Sequence, residues 1–236
     1  MENEQKIIVI VGASRGIGRA TALALAGPGT HLALAARDAA ALEAVAAAVR
    51  VAGGEATVVP GDITMEPSAR HLMQVAAART GRIDVLVNSA GGAVVAPFEQ
   101  LSLADWEATL RTALTGTFLA CKHAVAYMGA GALIVNVASV AARQAFPNWS
   151  AYVAAKHGVL GFSNAIREEL RTRGIRVTTL LPAATATTLW ETIPGTWDRA
   201  AMLQPEDVAR AIAQLVAQPP YVVTEELVIG HLAGRL

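Results

Sequence analysis

Cysteine occurs once in 236 residues, at Cys121, so no intrachain disulfide can form. A lone thiol gives no metal pattern either, and it fits a reducing, cytoplasmic compartment. The five histidines fall in no H-x-x-x-H or Cys/His cluster, so no metal site is expected. Lys plus Arg number 19 and Asp plus Glu also number 19, with no basic block anywhere. Nucleic-acid binding therefore lacks its electrostatic footprint. No apolar run approaches the roughly 20 residues of a membrane span. Residues 1–6 are polar and carry no leader signature. Internal repeats and proline-rich linkers are missing too, so the length points to one domain over residues 1–236.

What is present is a 53% hydrophobic chain that alternates between two patterns. Short runs rich in Ile, Val and Leu predict strands near 6–11, 31–36, 56–60, 83–88, 132–138, 175–181 and 225–230. Helical spacing predicts helices near 16–26, 38–52, 66–80, 103–127, 150–172 and 205–217. The stretch 39–52 is low in complexity, but Leu42, Val45 and Val49 recur at helical spacing. Strands alternating with helices imply right-handed crossovers and a doubly wound α/β fold: a predominantly parallel, seven-stranded sheet with helices on both faces. Ligands in such a fold sit beyond the carboxyl ends of the strands. Gly12, Asp62, Asn88, Ser139 and Pro182 all fall at or just after predicted strand ends.

Two motifs carry chemistry. The Ile7–Val11 run leads straight into Gly12, Ala13, Ser14, Arg15, Gly16, Ile17 and Gly18, followed by a helix-forming stretch. Glycines in this context let backbone N–H groups approach a phosphate, and the helix N-terminus favours the anion. A purely structural turn is the alternative. The second motif is Tyr152-Val-Ala-Ala-Lys156. Residues i and i+4 of a helix share a face with Cβ atoms about 5–6 Å apart. A lysine ammonium there favours the phenolate and lowers the tyrosine pKa from about 10, which suits proton transfer to an alcohol or carbonyl. Alone, this pair reads equally as an exposed Tyr and Lys on an amphipathic helix.

Taken in order, G-A-S-R-G-I-G at 12–18, G-D-I at 61–63, N-S-A-G at 88–91, Ser139, Y-x-x-x-K at 152–156, and Pro182 followed by Thr187 resemble the short-chain dehydrogenase/reductases over nearly the whole chain. The resemblance implies a Rossmann-type fold and an NAD(P)-dependent oxidoreductase that interconverts a secondary alcohol and a ketone or aldehyde. It implies that Ser139 bonds the substrate oxygen and that Tyr152 transfers the proton. Lys156 would lower the Tyr152 pKa and bind the nicotinamide ribose. Gly12, Ser14, Arg15, Gly16, Ile17 and Gly18 would form the cofactor loop, with Asp62 and Ile63 at the adenine. Ala90 and Gly91 would let the backbone approach the ribose while Asn88, grouped with the cofactor residues, pins the strand, and Pro182, Thr185 and Thr187 would lie at the carboxamide end. A helix-capping role for Asp62 and a turn role for Asn88 stay open beside these. The second strand ends at Ala36, where an NAD site would place an acid, and Arg37 follows. With Arg15, it can accept a 2′-phosphate, so NADP(H) is expected in preference to NAD(H).

Two positions depart from the family pattern. Ala113 stands where related sequences carry an asparagine that holds a water linking the lysine to solvent; Thr109, one turn back, is a possible substitute. Ala183 replaces the glycine after Pro182 and cannot adopt positive φ cheaply, so the nicotinamide loop is expected to sit differently. Residues 185–203 correspond to the family's substrate lid. Trp190, Ile193, Trp197 and Met202, with Phe98, Phe146 and Trp149, are candidates for a pocket lining or for lid packing. No Arg or Lys lies between Thr185 and Asp198, which suits a small, largely apolar substrate. The helices near 103–127 and 150–172 carry Leu114, Phe118, Val125, Val159, Phe162 and Ile166, and the resemblance implies a homo-oligomer, a tetramer or dimer, built on them. A rival reading is a catalytically weak dinucleotide-binding sensor or scaffold, motivated by Ala113 and Ala183. A methyltransferase on a similar sheet gives no role to Y-x-x-x-K.

Overall fold

Seven apolar segments pair as one parallel sheet in the computed structural model, which describes residues 5–233. They are β1 (Lys6–Val11), β2 (Thr30–Ala36), β3 (Glu55–Pro60), β4 (Val85–Asn88), β5 (Leu133–Val137), β6 (Arg176–Pro182) and β7 (Glu226–Ile229). Across the sheet they run β3-β2-β1-β4-β5-β6-β7. The chain winds outward from β1 to β3, then crosses back to β4 on the other side of β1. That reversal is where an open sheet leaves a crevice for ligands. Residues 1–4, part of the polar N-terminus, lie outside the described residues.

The helices are α1 (Gly16–Leu25), α2 (Ala39–Val51), α3 (Glu66–Ala77), α4 (Leu103–Leu110), α5 (Gly116–Ala124), α6 (Ser150–Arg171) and α7 (Pro205–Ala217). Side chains alternate across a strand, so each strand feeds two cores. Ile8, Ile10, Leu32, Leu34, Val135 and Leu180 face α1, α2 and α7. Ile7, Val9, Ala33, Leu86, Ile134 and Val177 face α3, α5 and α6. Burying one such Val, Leu or Ile contributes about 1.5–3 kcal/mol, so these two layers dominate the favourable side of folding. The alanine-rich stretch is helix α2, with Leu42, Val45 and Val49 at most 2% exposed.

A chain of polar side chains crosses the second layer. Asn88 Nδ2 donates to Asn136 Oδ1 at 2.8 Å, and Asn136 Nδ2 donates to Ser163 Oγ at 2.9 Å. Asn88 Nδ2 also lies 3.4 Å from Cys121 Sγ. Each neutral bond adds only about 1 kcal/mol net, so the network selects a register rather than supplying bulk stability. Burial pushes the Cys121 thiol up to about 12.

Two expectations change here. The helix near 103–127 is continuous in direction but not uniform: between α4 and α5 it widens into a π-turn at Arg111–Thr115, where Gly116 N–H bonds Arg111 C=O, five residues back. Val159 was expected to add outer apolar surface. It is 1% exposed instead, packed with Ala138, Ala142 and Leu181. Among the described residues no helix is long and apolar enough to cross a membrane.

Candidate active site

The carboxyl ends of the strands open into a cavity of about 1090 Å3 that runs from the β1–β2 end to the start of α6. Its floor begins with the glycine turn. Gly12 has φ +83°, and a Cβ there would lie 2.7 Å from the Ala90 nitrogen, so only glycine lets the β1 and β4 loops approach this closely. Gly16 has φ +53° and opens α1, with Thr187 across from it. Arg15 occupies the N-cap of α1 in an extended conformation without a side-chain cap bond. The first-turn N–H groups of α1 therefore face the cavity end without a side-chain acceptor, as an anion site requires.

Arg15 and Arg37 are exposed and line the same end of the cavity. No hydrogen bond or ion pair holds either guanidinium among the described residues. Asp38, the adjacent acid, is engaged instead at the N-terminus of α2, where Oδ1 accepts from Ala41 N–H at 3.0 Å. Asp62 lines the cavity with Oδ1 accepting from Thr64 N–H at 2.9 Å. It is a turn residue and not a helix cap, since α3 starts after Met65. A glycine cradle and an uncapped helix start fit a dinucleotide pyrophosphate, and two unpartnered arginines line the same end.

At the other end, Ser139 follows β5, and its Oγ accepts from Ala141 N–H at 3.1 Å. Tyr152 and Lys156 lie one turn apart on the first turns of α6 and face the same cavity. Lys156 is 5% exposed; its Nζ donates to the Val137 carbonyl at 2.9 Å and stands 5.6 Å from the Tyr152 ring centroid. Burial pushes Lys156 down to about 8. Burial also raises the Tyr152 pKa, and a hydrogen bond from Ser139 opposes the rise. The expected lowering by Lys156 does not set the net direction. The Lys156 ammonium is directed at the Val137 carbonyl, and burial of the tyrosine sets the direction.

Other expected residues divide clearly. Ser14, Ile17, Ile63, Ala90, Gly91, Pro182, Thr185 and Thr187 line the cavity. Gly18 and Asn88 do not: a Cβ on Gly18 would lie 2.2 Å from the Gly12 oxygen, so it is a packing glycine, and Asn88 is buried in the Asn136 network. Ala113 is 1% exposed within the π-turn. Its carbonyl accepts from Thr117 Oγ1 at 2.7 Å. The Thr109 hydroxyl, the suggested substitute, donates to the Asp105 carbonyl of its own helix at 2.8 Å. Ala183 carries no strain, because Asn148 is the one non-glycine with positive φ among the described residues. Its N–H bonds the Ile229 carbonyl at 2.8 Å.

In the segment after β6, Ala186 N–H bonds the Leu203 carbonyl and Leu203 N–H bonds the Ala184 carbonyl. Arg199, which nothing in the sequence singled out, donates from Nη1 to the Thr187 carbonyl at 2.6 Å. Phe146, Trp149, Trp190 and Trp197 line the cavity. Phe98 does not, being 80% exposed, and Ile193 and Met202 are buried beneath the segment. His71, Arg111 and Thr112 also reach the cavity wall. Their helices were legible, but helical spacing alone does not say which turn meets a cleft.

The family model described as short chain dehydrogenase matches residues 6–196. A D-threitol dehydrogenase from Mycolicibacterium smegmatis is 41% identical over 189 residues, spanning 78% of this chain and 72% of that protein. The structure of an alcohol dehydrogenase from Thermococcus sibiricus, complexed with 5-hydroxy-NADP, superposes with a TM-score of 0.90 at 28% identity, covering 99% of both chains. A short chain dehydrogenase from Burkholderia cenocepacia in complex with NADP superposes with a TM-score of 0.88 at 27% identity, again covering 99% of both. With the glycine cradle and Ser139, Tyr152 and Lys156 gathered around one cleft, these likenesses carry a single conclusion: the chain belongs to the short-chain dehydrogenases, as an NAD(P)-dependent oxidoreductase acting on CH–OH groups.

Proposed function

We propose that this oxidoreductase interconverts a secondary alcohol and a ketone or aldehyde on a small, largely apolar substrate, using NADP(H), with Tyr152 as the acid/base. The observation that carries the reading is one cavity with a proton-transfer group at one end and two unpartnered arginines at the other. Gly12, Ser14, Gly16 and Ile17 hold the pyrophosphate, Asp62 and Ile63 the adenine, Ala90 and Gly91 the ribose, and Pro182, Thr185 and Thr187 the carboxamide end. Residues 185–203 act as a short lid on a single domain spanning residues 1–236.

The cofactor, when bound, supplies or accepts the hydride. The chain's own groups do the rest. Ser139 donates a hydrogen bond to the substrate oxygen and stabilises charge developing there. In reduction the Tyr152 hydroxyl gives that oxygen its proton; in oxidation the phenolate takes it back. A raised Tyr152 pKa keeps the phenol protonated at neutral pH, the form reduction needs. The buried Lys156 ammonium favours the phenolate left after transfer. A sensor with little turnover is the weaker reading, since Ser139, Tyr152 and Lys156 are all in place and Ala183 adopts an ordinary backbone.

The phosphate assignment is tested by calorimetry with both cofactors. NADPH binds more tightly than NADH, and Arg37→Ala weakens NADPH by about 1.5–3 kcal/mol, the size of a hydrogen bond to a charged group, with little effect on NADH. Equal affinities in the parent protein overturn it.

Tyr152→Phe abolishes ketone reduction while leaving NADPH affinity within about threefold, a difference under 1 kcal/mol. Turnover near the parent rate would remove Tyr152 from the chemistry.

Lys156 gives a pH signature. Its folded pKa, about 8, lies below the ordinary 10.5. Between those values the unfolded chain keeps a proton the folded one has released, so stability rises with pH across that window. Below it, the burial penalty is complete. Lys156→Met is therefore more stable than the parent at pH 7 by about 0.5–2 kcal/mol, a burial penalty of roughly 3.4 less the roughly 1.5–3 of the lost charge-assisted Val137 bond. The advantage fades between pH 8 and 10.5. A destabilised Lys156→Met protein at pH 7 contradicts this account.

The outer faces of α5 and α6 support a homo-oligomer. Phe118 is 43% exposed and meets Phe162 edge to face at 6.0 Å, with Leu114 and Ile166 half-buried nearby in sequence. Light scattering at micromolar concentration reads a dimer or tetramer, and Phe118→Glu lowers the mass. A monomeric parent rejects the assembly.

A further inference from the structure

Three of the four tryptophans line the cavity on the Tyr152 side. Their rings form a continuous chain that begins on Tyr152 itself. Trp149 lies 5.4 Å from the Tyr152 ring at 70°, Trp190 lies 5.9 Å from Trp149 at 59°, and Trp197 lies 4.7 Å from Trp190 at 53°. No pair is parallel-stacked, so the rings do not consume one another's faces. All three are half-buried, with the remainder open to the cavity.

Hydrogen bonds fix the two outer rings. Trp190 Nε1 donates to the Thr185 carbonyl at 2.9 Å, and Trp197 Nε1 donates to the Ile193 carbonyl at 3.3 Å. These indoles offer a ligand π surface and no donor. Gly195, at φ +122°, makes the turn that returns Trp197 to Trp190, and a Cβ there would lie 3.4 Å from the indole. The wall is thus built by the local chain rather than left over from lid packing.

Charge narrows the choice of ligand. Of the cavity-lining residues from Val137 onward, Lys156 alone is charged; one of its three N–H donors goes to the Val137 carbonyl, and the family resemblance gives the others to the nicotinamide ribose. A carboxylate or phosphate held against the rings would be desolvated with no charged partner on that wall. A quaternary ammonium would find ring faces, but it would line the same cavity as the Lys156 cation, which lies against the Tyr152 ring that begins the chain. A flexible alkyl chain gains only from apolar burial. A flat ring gains that and a ring–ring term of about two- to tenfold in affinity per contact.

On the reading that this site reduces or oxidises a carbonyl group, we propose that its substrate carries an uncharged aromatic or fused planar ring beside the reacting carbon, held against the Trp149–Trp190 wall. Three methyl ketones of equal carbon number separate the contributions: acetophenone, cyclohexyl methyl ketone and 2-octanone. The KM for acetophenone falls about tenfold below that for 2-octanone, with the cyclohexyl compound between, as one or two ring contacts predict. Trp190→Leu cuts that preference to about threefold or less by removing one such contact. In NADP+-saturated protein, where the ketone cannot react, acetophenone quenches tryptophan fluorescence saturably, and Trp190→Leu weakens the saturable component.

The outcomes separate this inference from the one beneath it. Turnover of all three ketones with equal KM and only linear, collisional quenching overturns the ring site and leaves the reductase standing. A preference for 4-acetylbenzoate over acetophenone also overturns it, because it reveals an anion partner. Saturable quenching without turnover of any ketone supports the ring site and counts against the reductase. Neither quenching nor turnover overturns both.

Discussion

The side chain of Asn136 sets the spacing on which the cleft depends. It accepts from Asn88 on one side and donates to Ser163 on the other, so β4, β5 and α6 are tied through one residue. In the sheet Asn88 and Asn136 are direct register partners. A slip of one residue would turn Asn136 to the opposite face and break both bonds. Apolar burial would scarcely resist such a slip, because Val, Ile and Leu occupy both faces of β5. The polar link makes one register preferred. Register in turn decides whether Ser139, three residues beyond Asn136, stands opposite the first turns of α6.

Most of this architecture was legible because glycine, proline and β-branched runs mark strand ends sharply. The seven strands and six helical segments fall within a few residues of where spacing places them. The π-turn was not legible, since one extra residue in a turn hardly disturbs a helical pattern over 25 positions. Apolar residues were harder to place than polar ones. Ile193 and Met202 are as hydrophobic as Trp190 and Trp197, and the turn at Gly195 and the Leu203 pairing separate those that face the cavity from those beneath it. Spacing put Tyr152 and Lys156 together correctly. It could not say that the ammonium would point at Val137, which lies on another element altogether.

The cleft divides electrostatically along its length. The lining residues before Val137 include Arg15, Arg37, Asp38, Asp62, His71 and Arg111; from Val137 onward Lys156 alone is charged. The charged half is exposed, where holding unpaired guanidinium groups is cheap. The other half is apolar, so the cost of the single buried ammonium falls where proton transfer is proposed to occur. A polar group is placed in an expensive environment at one point and in inexpensive ones elsewhere.

Cys121 carries a consequence of a different kind. Burial holds its pKa well above the ordinary thiol value, so little thiolate forms at neutral pH. The thiolate is the reactive form, and the sulfur is buried against Asn88 and Asn136. The folded protein is therefore nearly silent toward oxidants and alkylating reagents. A cysteine introduced on the surface would stand alone as an addressable handle, with no native background to subtract.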